Sequence, residues 1–310
     1  MSERQSFLTD GTKCPSVQVQ SILYNNSLEA IERSLASMAR SAELAIFAKA
    51  CSKVQVYFGD SSPLPCIDEE KLEDLQKRFA PALEVKYQFF GENAGSARGH
   101  NRLAKEVETD FLLIQNPDVV VSPRLLEQLL AHFATPEVGM VEAKQLPIEH
   151  PKEYNPATGE TIWATTACAM IPVPLFERLG GFDAASFFLY CDDVDFSWLV
   201  RRAGYKVIFQ PAAVVFHDKR LSDAGDWLPS AAEHYYSAEA AMILAYKWSR
   251  EDLAEAICDH FTQHGSDHQK KAAREFERRR NQNLLPEQLD PHHEIAYFSE
   301  NLYSKHRYAL

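Results

Sequence analysis

The sequence has no Cys-x-x-Cys pair. Its six cysteines, Cys14, Cys51, Cys66, Cys168, Cys191 and Cys258, are scattered along 310 residues. That spacing excludes a zinc ribbon or a disulfide framework, and the thiols read as reduced, as in a cytoplasmic protein. No uninterrupted apolar run approaches the roughly 18 residues that a membrane span needs. The N-terminal stretch MSERQSFLTDGTKCPS is polar and lacks the apolar core of a leader, so no secretory signal is expected. A basic footprint is also missing. The formal net charge is −12, which argues against nucleic acid as the main partner. No G-x-G-x-x-G follows a strand pattern, which removes the dinucleotide fingerprint. Internal repeats and low-complexity tracts are absent as well.

What is present centres on Phe111-Leu112-Leu113-Ile114-Gln115-Asn116-Pro117-Asp118. Four successive apolar residues predict a strand buried on both faces. Proline has no N–H for the ladder, so the strand ends at Asn116 and Asp118 projects from the sheet edge. In open α/β sheets, ligands bind beyond the carboxyl ends of the strands. A carboxylate there is a hard oxygen ligand suited to Mg²⁺ or Mn²⁺, although Asn, Pro and Asp are also ordinary turn formers.

Around this stretch the chain alternates strand and helix patterns. Residues 1–15 read as a flexible arm. Strands are predicted at Val17–Leu23, Val54–Phe58 and Leu83–Tyr87, with helices carried by Leu28, Ile31, Leu35 and Met38, and by Leu72, Leu75 and Phe79. Residues 91–99 are punctuated by glycine and read as a loop leading into a helix through Asn101 and Leu103. This order predicts βαβ units and a mostly parallel sheet flanked by helices. Ser122 and Pro123 predict the start of a helix. Trp163–Ile171, Tyr205–Phe209 and Val214–Phe216 read as later strands, the last ending at His217. Beyond about residue 222 helix formers dominate, with helices expected at Ala231–Trp248 and Asp252–Phe261. Lys270, Lys271, Arg274, Arg278, Arg279 and Arg280 make a basic segment. Interspersed Glu275 and Glu277 suit a solvated helix face, and docking to a membrane surface is the alternative.

Several ordered motifs then converge. They are Leu23-Tyr24-Asn25-Asn26, Phe58-Gly59-Asp60-Ser61-Ser62, Glu92-Asn93-Ala94-Gly95 with Ala97, Gly99 and Asn101, Asn116-Pro117-Asp118, Gly180-Gly181-Phe182-Asp183, Tyr190-Cys191-Asp192-Asp193-Val194-Asp195, and Ala203-Gly204-Tyr205-Lys206 before His217. In that order they resemble the family 2 glycosyltransferases of the GT-A fold, and most closely their bacterial rhamnosyltransferase-like branch. The resemblance covers about residues 16–220. It departs at Gly59, at Asp192 in place of a glutamate, and at Thr166-Ala167-Cys168 beside the expected acceptor pocket.

The resemblance implies an α/β chain with a Rossmann-like GT-A domain over 16–221 and a helical extension over 222–310. It implies an inverting transfer from a uridine or thymidine diphosphate sugar to a glycan or lipid-linked acceptor, in the synthesis of a bacterial surface polysaccharide. Asp118 and His217 are then the ligands of Mg²⁺ or Mn²⁺. Asp193 is the general base, with Asp192 beside it raising its pKa. Tyr24, Asn25, Asp60, Asn93, Gly95, Arg98, Asn101 and Asn116 are expected around the nucleotide sugar. Each also has a plainer reading. Asp192, Asp193 and Asp195 suit any helix N-terminus, Asp60 suits a turn, and Arg98 suits a solvated loop. The expected location is cytoplasmic, at the inner face of the membrane if the basic segment docks there. The rivals are a nucleotidyltransferase, which needs basic residues that Leu23–Ser27 lacks, and a binding protein of the same fold that has lost its chemistry.

Overall fold

The computed structural model describes residues 14–149, 152–218 and 230–299, together with Phe7 and Tyr303. The arm expected over 1–15 falls mostly outside the described residues, as does the boundary expected at 221/222.

The first half builds as the sequence pattern predicts. Strands β1 (Ser16–Leu23), β2 (Lys53–Asp60), β3 (Glu84–Phe89) and β4 (Phe111–Gln115) lie parallel in the order β3-β2-β1-β4. Helices α1 (Leu28–Phe47), α2 (Glu69–Phe79) and α3 (Gly95–Ala104) connect them. Ser27 caps α1 by accepting from the Ala30 N–H, and Ile31, Leu35, Met38 and Ala42 form its buried stripe. Every residue of β4 is buried. In β1 the alternation of apolar and polar residues does not mean one wet face, because helices cover both. Gln18 and Gln20 are buried with the rest, and Gln20 Oε1 lies 3.3 Å from His100 Nδ1. Burial pushes His100 down to about 3, so this imidazole stays neutral in the core.

Two details differ from the sequence pattern. The glycine-punctuated stretch already becomes α3 at Gly95. Ser122 does not cap the next helix, α4 (Leu125–Leu130), which starts after Arg124. Its hydroxyl instead accepts from the Val214 N–H across the sheet.

Beyond β4 the sheet becomes mixed. Strands β5 (Val119–Val121), β6 (Val138–Leu146), β7 (Glu160–Thr161), β8 (Cys168–Pro172) and β9 (Lys206–His217) extend it as β4-β8-β6-β9-β5, with β7 also on β9. Strand β8 runs antiparallel to both β4 and β6. Residues Trp163 to Ala167, expected in that strand, form its approach. The two late strand patterns are one strand, β9. Its pairing with β6 jumps from Ala143↔Gln210 to Lys144↔Val214, so Pro211, Ala212 and Ala213 bulge out of register. Proline at the bulge forgoes no ladder bond. The far end of β9 then pairs with β5, placing Val119 opposite His217.

Helices α5 (Val173–Arg178) and α6 (Asp192–Arg202) lie between β8 and β9. The extension holds α7 (Ala231–Lys247), α8 (Glu251–His264) and α9 (Asp267–Asn281). Ser230 and Glu233 form a reciprocal cap on α7. The apolar faces of these helices share one core with Trp163, Phe187, Val194 and Trp198, and the rings of Trp198 and Trp248 meet edge to face at 5.3 Å. Inside this interface Lys247 Nζ lies 2.7 Å from Asp183 Oδ2 and 2.8 Å from Asp195 Oδ2, and Trp248 Nε1 donates to Asp195 Oδ1 at 2.9 Å. Among the described residues no helix is long and apolar enough to cross a membrane.

Asp195 is fully buried, so losing its cation leaves a carboxylate with no solvent. Lys247→Met should lower the unfolding free energy by about 3–5 kcal/mol, read from urea denaturation. Adding Asp195→Asn should recover part of that loss. A single-variant loss below about 1 kcal/mol, the range of an exposed pair, would show that the clamp does not hold the extension.

Candidate active site

The strand ends gather the site. Register pairs Leu23 with Asp60 and Gln20 with Ile114, so β1, β2 and β4 finish along one edge. The loops after β1 and β4 open there into a cavity of about 770 Å³. Of the residues expected from sequence, Tyr24, Asn25, Asn116, Asp118, Asp192, Asp193 and His217 line it.

Asp118 and His217 come from distant parts of the chain and meet because β5 pairs with the end of β9. His217 Nε2 lies 3.3 Å from Asp118 Oδ1 and 3.4 Å from Asn116 Nδ2. Asn116 is placed by its own N–H, which donates to Ala167 O at 3.0 Å. Among the described residues no three His, Cys, Asp or Glu side chains form a metal cluster. One imidazole and one carboxylate do converge, a donor set that fits an ion filling its remaining positions with water and phosphate oxygens. The lining supports this fit. It carries Asp118, Asp192, Asp193, Asp218 and Glu233, and no lysine or arginine among the described residues. A diphosphate entering so acidic a cavity needs a compensating cation.

The acids at the head of α6 arrive by a turn. Tyr190 (φ 68°) and Cys191 (φ 58°) are both left-handed. That conformation costs a non-glycine residue about 1–2 kcal/mol and is held here by packing, Cys191 being fully buried. Asp192 then points inward at 4% exposure, with Ser96 as a hydrogen-bond partner. Its Oδ2 has no partner among the described residues. Burial first, and the neighbouring Asp193 second, push Asp192 up to about 7. The sequence reading placed the like-charge effect on Asp193; the same repulsion acts on Asp192. Asp193 is half-buried. Its Oδ1 accepts from the Val194 N–H at 2.8 Å and its Oδ2 faces the Thr166 N–H at 3.4 Å.

The other expected residues are not among those that line the cavity. Asp60 is fully buried. Its carboxylate accepts from the N–H groups of Ser62 and Cys66 and from the Tyr87 hydroxyl, at 2.8, 2.7 and 2.6 Å. Burial alone would raise its pKa, but these bonds outweigh that and hold it below the usual value. Asp60 thus shapes a turn, and Ser62 Oγ passes the order on by accepting from the Asn25 N–H at 2.8 Å. Gly59, unusual for this turn, is required because a Cβ there would sit 2.4 Å from the Phe90 ring. Arg98 pairs with Glu92 at 3.0 Å on the surface, and Asn93 accepts from the Gly95 N–H at 3.2 Å. Asn101 is used on both sides by the Phe182 backbone, at 2.7 and 2.9 Å. Gly95 (φ +68°) approaches Phe188 so closely that a Cβ would lie 2.4 Å from its carbonyl oxygen, and the Ser96 N–H donates to that oxygen at 3.0 Å. The Asn93–Asn101 segment therefore holds the 182–193 segment that carries the acids.

Sequence reasoning missed Ser96, Gln145, Thr165 and Glu233, which also line the cavity. Each sits outside the quoted motifs or at an unremarkable place within one, so no local pattern marks it.

No family model matches the chain. Over 163 residues, 43% of the chain, it is 27% identical to the O-antigen biosynthesis protein RfbC of Myxococcus xanthus. Over 168 residues, 48% of the chain, it is 26% identical to the pre-mycofactocin glycosyltransferase of Mycobacterium tuberculosis. Over 86 residues, 28% of the chain, it is 29% identical to the N-acetylglucosaminyl-diphospho-decaprenol L-rhamnosyltransferase of the same organism. The aligned stretches make up 13%, 35% and 28% of those proteins. Among solved structures, GalNAc-T7 with UDP, GalNAc and Mn²⁺ matches with a TM-score of 0.60 at 13% identity, over 87% of this chain and 55% of that one. The mannosyltransferase PcManGT from Pyrobaculum calidifontis, in complex with GDP-Man and Mn²⁺, matches with a TM-score of 0.51 at 19% identity, over 88% of this chain and 81% of that one. The chain has the GT-A fold, and the resemblance to glycosyltransferases read from its motifs holds in both sequence and fold.

The Asp192 pKa has a consequence for stability. Its folded value lies above the unfolded value of about 3.9, so its contribution is fully present below about pH 4 and is lost as pH rises toward about 7. The Asp192→Asn variant lacks that loss. The stability difference between variant and native chain should therefore move in favour of the variant across this window, by roughly 1.36 kcal/mol per pH unit at most, and level off above it. Urea denaturation at several pH values measures it, and a flat difference would place Asp192 in water.

Proposed function

We propose that the chain is an inverting glycosyltransferase that requires a divalent ion and moves a sugar from a nucleoside diphosphate to a hydroxyl acceptor. One observation carries this reading: Asp193 opens into the same acidic cavity as the converging Asp118 and His217. Asp118 and His217 would hold Mg²⁺ or Mn²⁺, which when bound supplies positive charge for the leaving diphosphate. Asp193 takes the proton of the acceptor hydroxyl. The hydroxyl oxygen attacks the anomeric carbon from the face opposite the diphosphate. The bond from that carbon to the diphosphate breaks, and its electron pair leaves with the phosphate oxygen. The Val194 N–H fixes the rotation of Asp193, so the receiving oxygen is positioned before the acceptor arrives. Tyr24, half exposed at the cavity mouth, offers a ring to the nucleotide base.

A uridine or thymidine diphosphate sugar is the donor we favour, with a glycan or lipid-linked acceptor in bacterial surface polysaccharide synthesis. The relatives named for O-antigen and decaprenol-linked substrates support this setting. We place the protein in the cytoplasm, at the inner face of the membrane. The basic segment gives that contact limited support. In α9, Arg278 pairs with Glu275, Arg279 with Glu239 and Glu275, and Arg280 with Glu255; Lys271 lies over the Tyr235 ring, and among the described residues Lys270 and Arg274 have no ion-pair partner. A nucleotidyltransferase is disfavoured by the absence of lysine and arginine from the described lining. An inactive binding protein is disfavoured by the placement of Asp193.

Calorimetry should show UDP or dTDP binding in the presence of Mn²⁺ and loss of that binding in EDTA, and Asp118→Ala should weaken it. Binding that is equal with Mn²⁺ and with EDTA would remove the ion from the site. Asp193→Asn keeps the side-chain shape and removes the proton acceptor. With a matched donor and acceptor it should lower turnover by about 10²–10⁴-fold, with donor affinity nearly unchanged. Native turnover in that variant would sink the mechanism, as would a product that retains the donor's anomeric configuration.

A further inference from the structure

We infer that Gln145 is a positioning residue that holds the His217 imidazole in its Nδ1–H form, so that the Nε2 lone pair is presented beside Asp118. The inference rests on the reading of Asp118 and His217 as the ion-holding pair.

Gln145 lies near the end of β6, in register with Val215 of β9. It is 1% exposed, and Thr165 is buried with it. Gln145 Oε1 lies 2.8 Å from His217 Nδ1. The other end of the amide donates from Nε2 to Thr165 Oγ1 at 3.0 Å, and that oxygen also accepts from the Ala167 N–H at 3.2 Å. The Gln145 backbone is tied down as well, its N–H donating to Glu149 Oε2 at 2.7 Å. With Nε2 spent on Thr165, the amide presents its carbonyl oxygen to the histidine. A carbonyl oxygen only accepts, so Nδ1 carries the proton.

The far side of the ring agrees. Asn116 Nδ2, a donor, approaches Nε2 at 3.4 Å, which suits a lone pair there. Asp118 Oδ1 lies 3.3 Å from the same nitrogen. A lone pair and a carboxylate facing each other at that distance repel unless a cation joins them. The Nε2–H form would donate directly to Asp118 and close the pair against an ion. Gln145 opposes that closure from behind the ring, through its contact with Nδ1. A group that fixes the tautomer of a ligating histidine in this way is typically worth about 10–100-fold in metal affinity.

The test uses the full chain and Mn²⁺ alone, titrated by electron paramagnetic resonance, together with ¹⁵N spectra of labelled histidine in the ion-free protein. Ring nitrogen shifts report which nitrogen carries the proton, which settles by observation an assignment that heavy-atom positions leave to hydrogen-bond geometry. The native chain should show His217 as the Nδ1–H form. Gln145→Leu should convert it to the Nε2–H form and weaken Mn²⁺ binding by about 10–100-fold. Gln145→Glu keeps an acceptor at Nδ1 and should stay within a few-fold of native. An Nε2–H signal in the native chain overturns the inference. So does native-like Mn²⁺ binding by Gln145→Leu when His217→Ala has lost it. Mn²⁺ binding that survives both His217→Ala and Asp118→Ala overturns the ion reading and this inference together.

Discussion

A single lysine holds the two halves of the molecule in register. Lys247 is almost fully buried between Asp183 and Asp195, with Trp248 filling the remaining valence of Asp195. Taking three charges out of water is expensive, and the arrangement is tolerable because each acceptor has a donor at hydrogen-bond distance. Its geometric effect is large. Asp183 ends the Gly180–Asp183 turn and Asp195 sits in the first turn of α6, so the clamp fixes both ends of the segment that carries Asp192 and Asp193. The helical extension is thereby part of the scaffold of these two acids. Their position depends on a helix more than 50 residues downstream, since Lys247 and Asp195 are separated by 52.

The same segment is gripped from the opposite side by α3. Asn101 binds the Phe182 backbone, and Ser96 binds the Phe188 carbonyl. Motif residues expected around the nucleotide sugar thus also brace this loop. Among the described residues, the cavity lining then carries five acids and no lysine or arginine. On the proposed reading, a divalent ion held by Asp118 and His217 would offset the repulsion between these acids and a diphosphate.

Much of this was legible in the sequence. The apolar run at Phe111–Ile114 and the Asn-Pro-Asp that ends it gave the central strand and the place of Asp118. The order of acids in Asp192-Asp193-Val194-Asp195 located the head of α6. What sequence could not separate was residues that face a cavity from residues that hold such residues in place. Asp60, Asn101 and Asp193 are all polar residues within motifs. Only the fold distinguishes a carboxylate taken up by three local donors from one that opens into a cavity. Gln18 and Gln20 are buried although their strand alternates, since alternation signals a wet face only when no helix covers it. Gln145 and Lys247 carried no local signal, because their partners lie 72 and 52 residues away.

The bulge in β9 carries a further implication. Strand side chains alternate between faces, so a shift of one residue turns every following side chain over. His217 faces Asp118 because Pro211, Ala212 and Ala213 take up their particular length of chain between two paired stretches. Their side chains take no part in the chemistry, and many substitutions there should be harmless. Removing or adding one residue is different in kind. It would rotate the imidazole to the opposite side of the sheet and turn the buried Val215 out of the core with it. At this point the site is specified by counting: the length of the bulge matters, and residue identity is secondary.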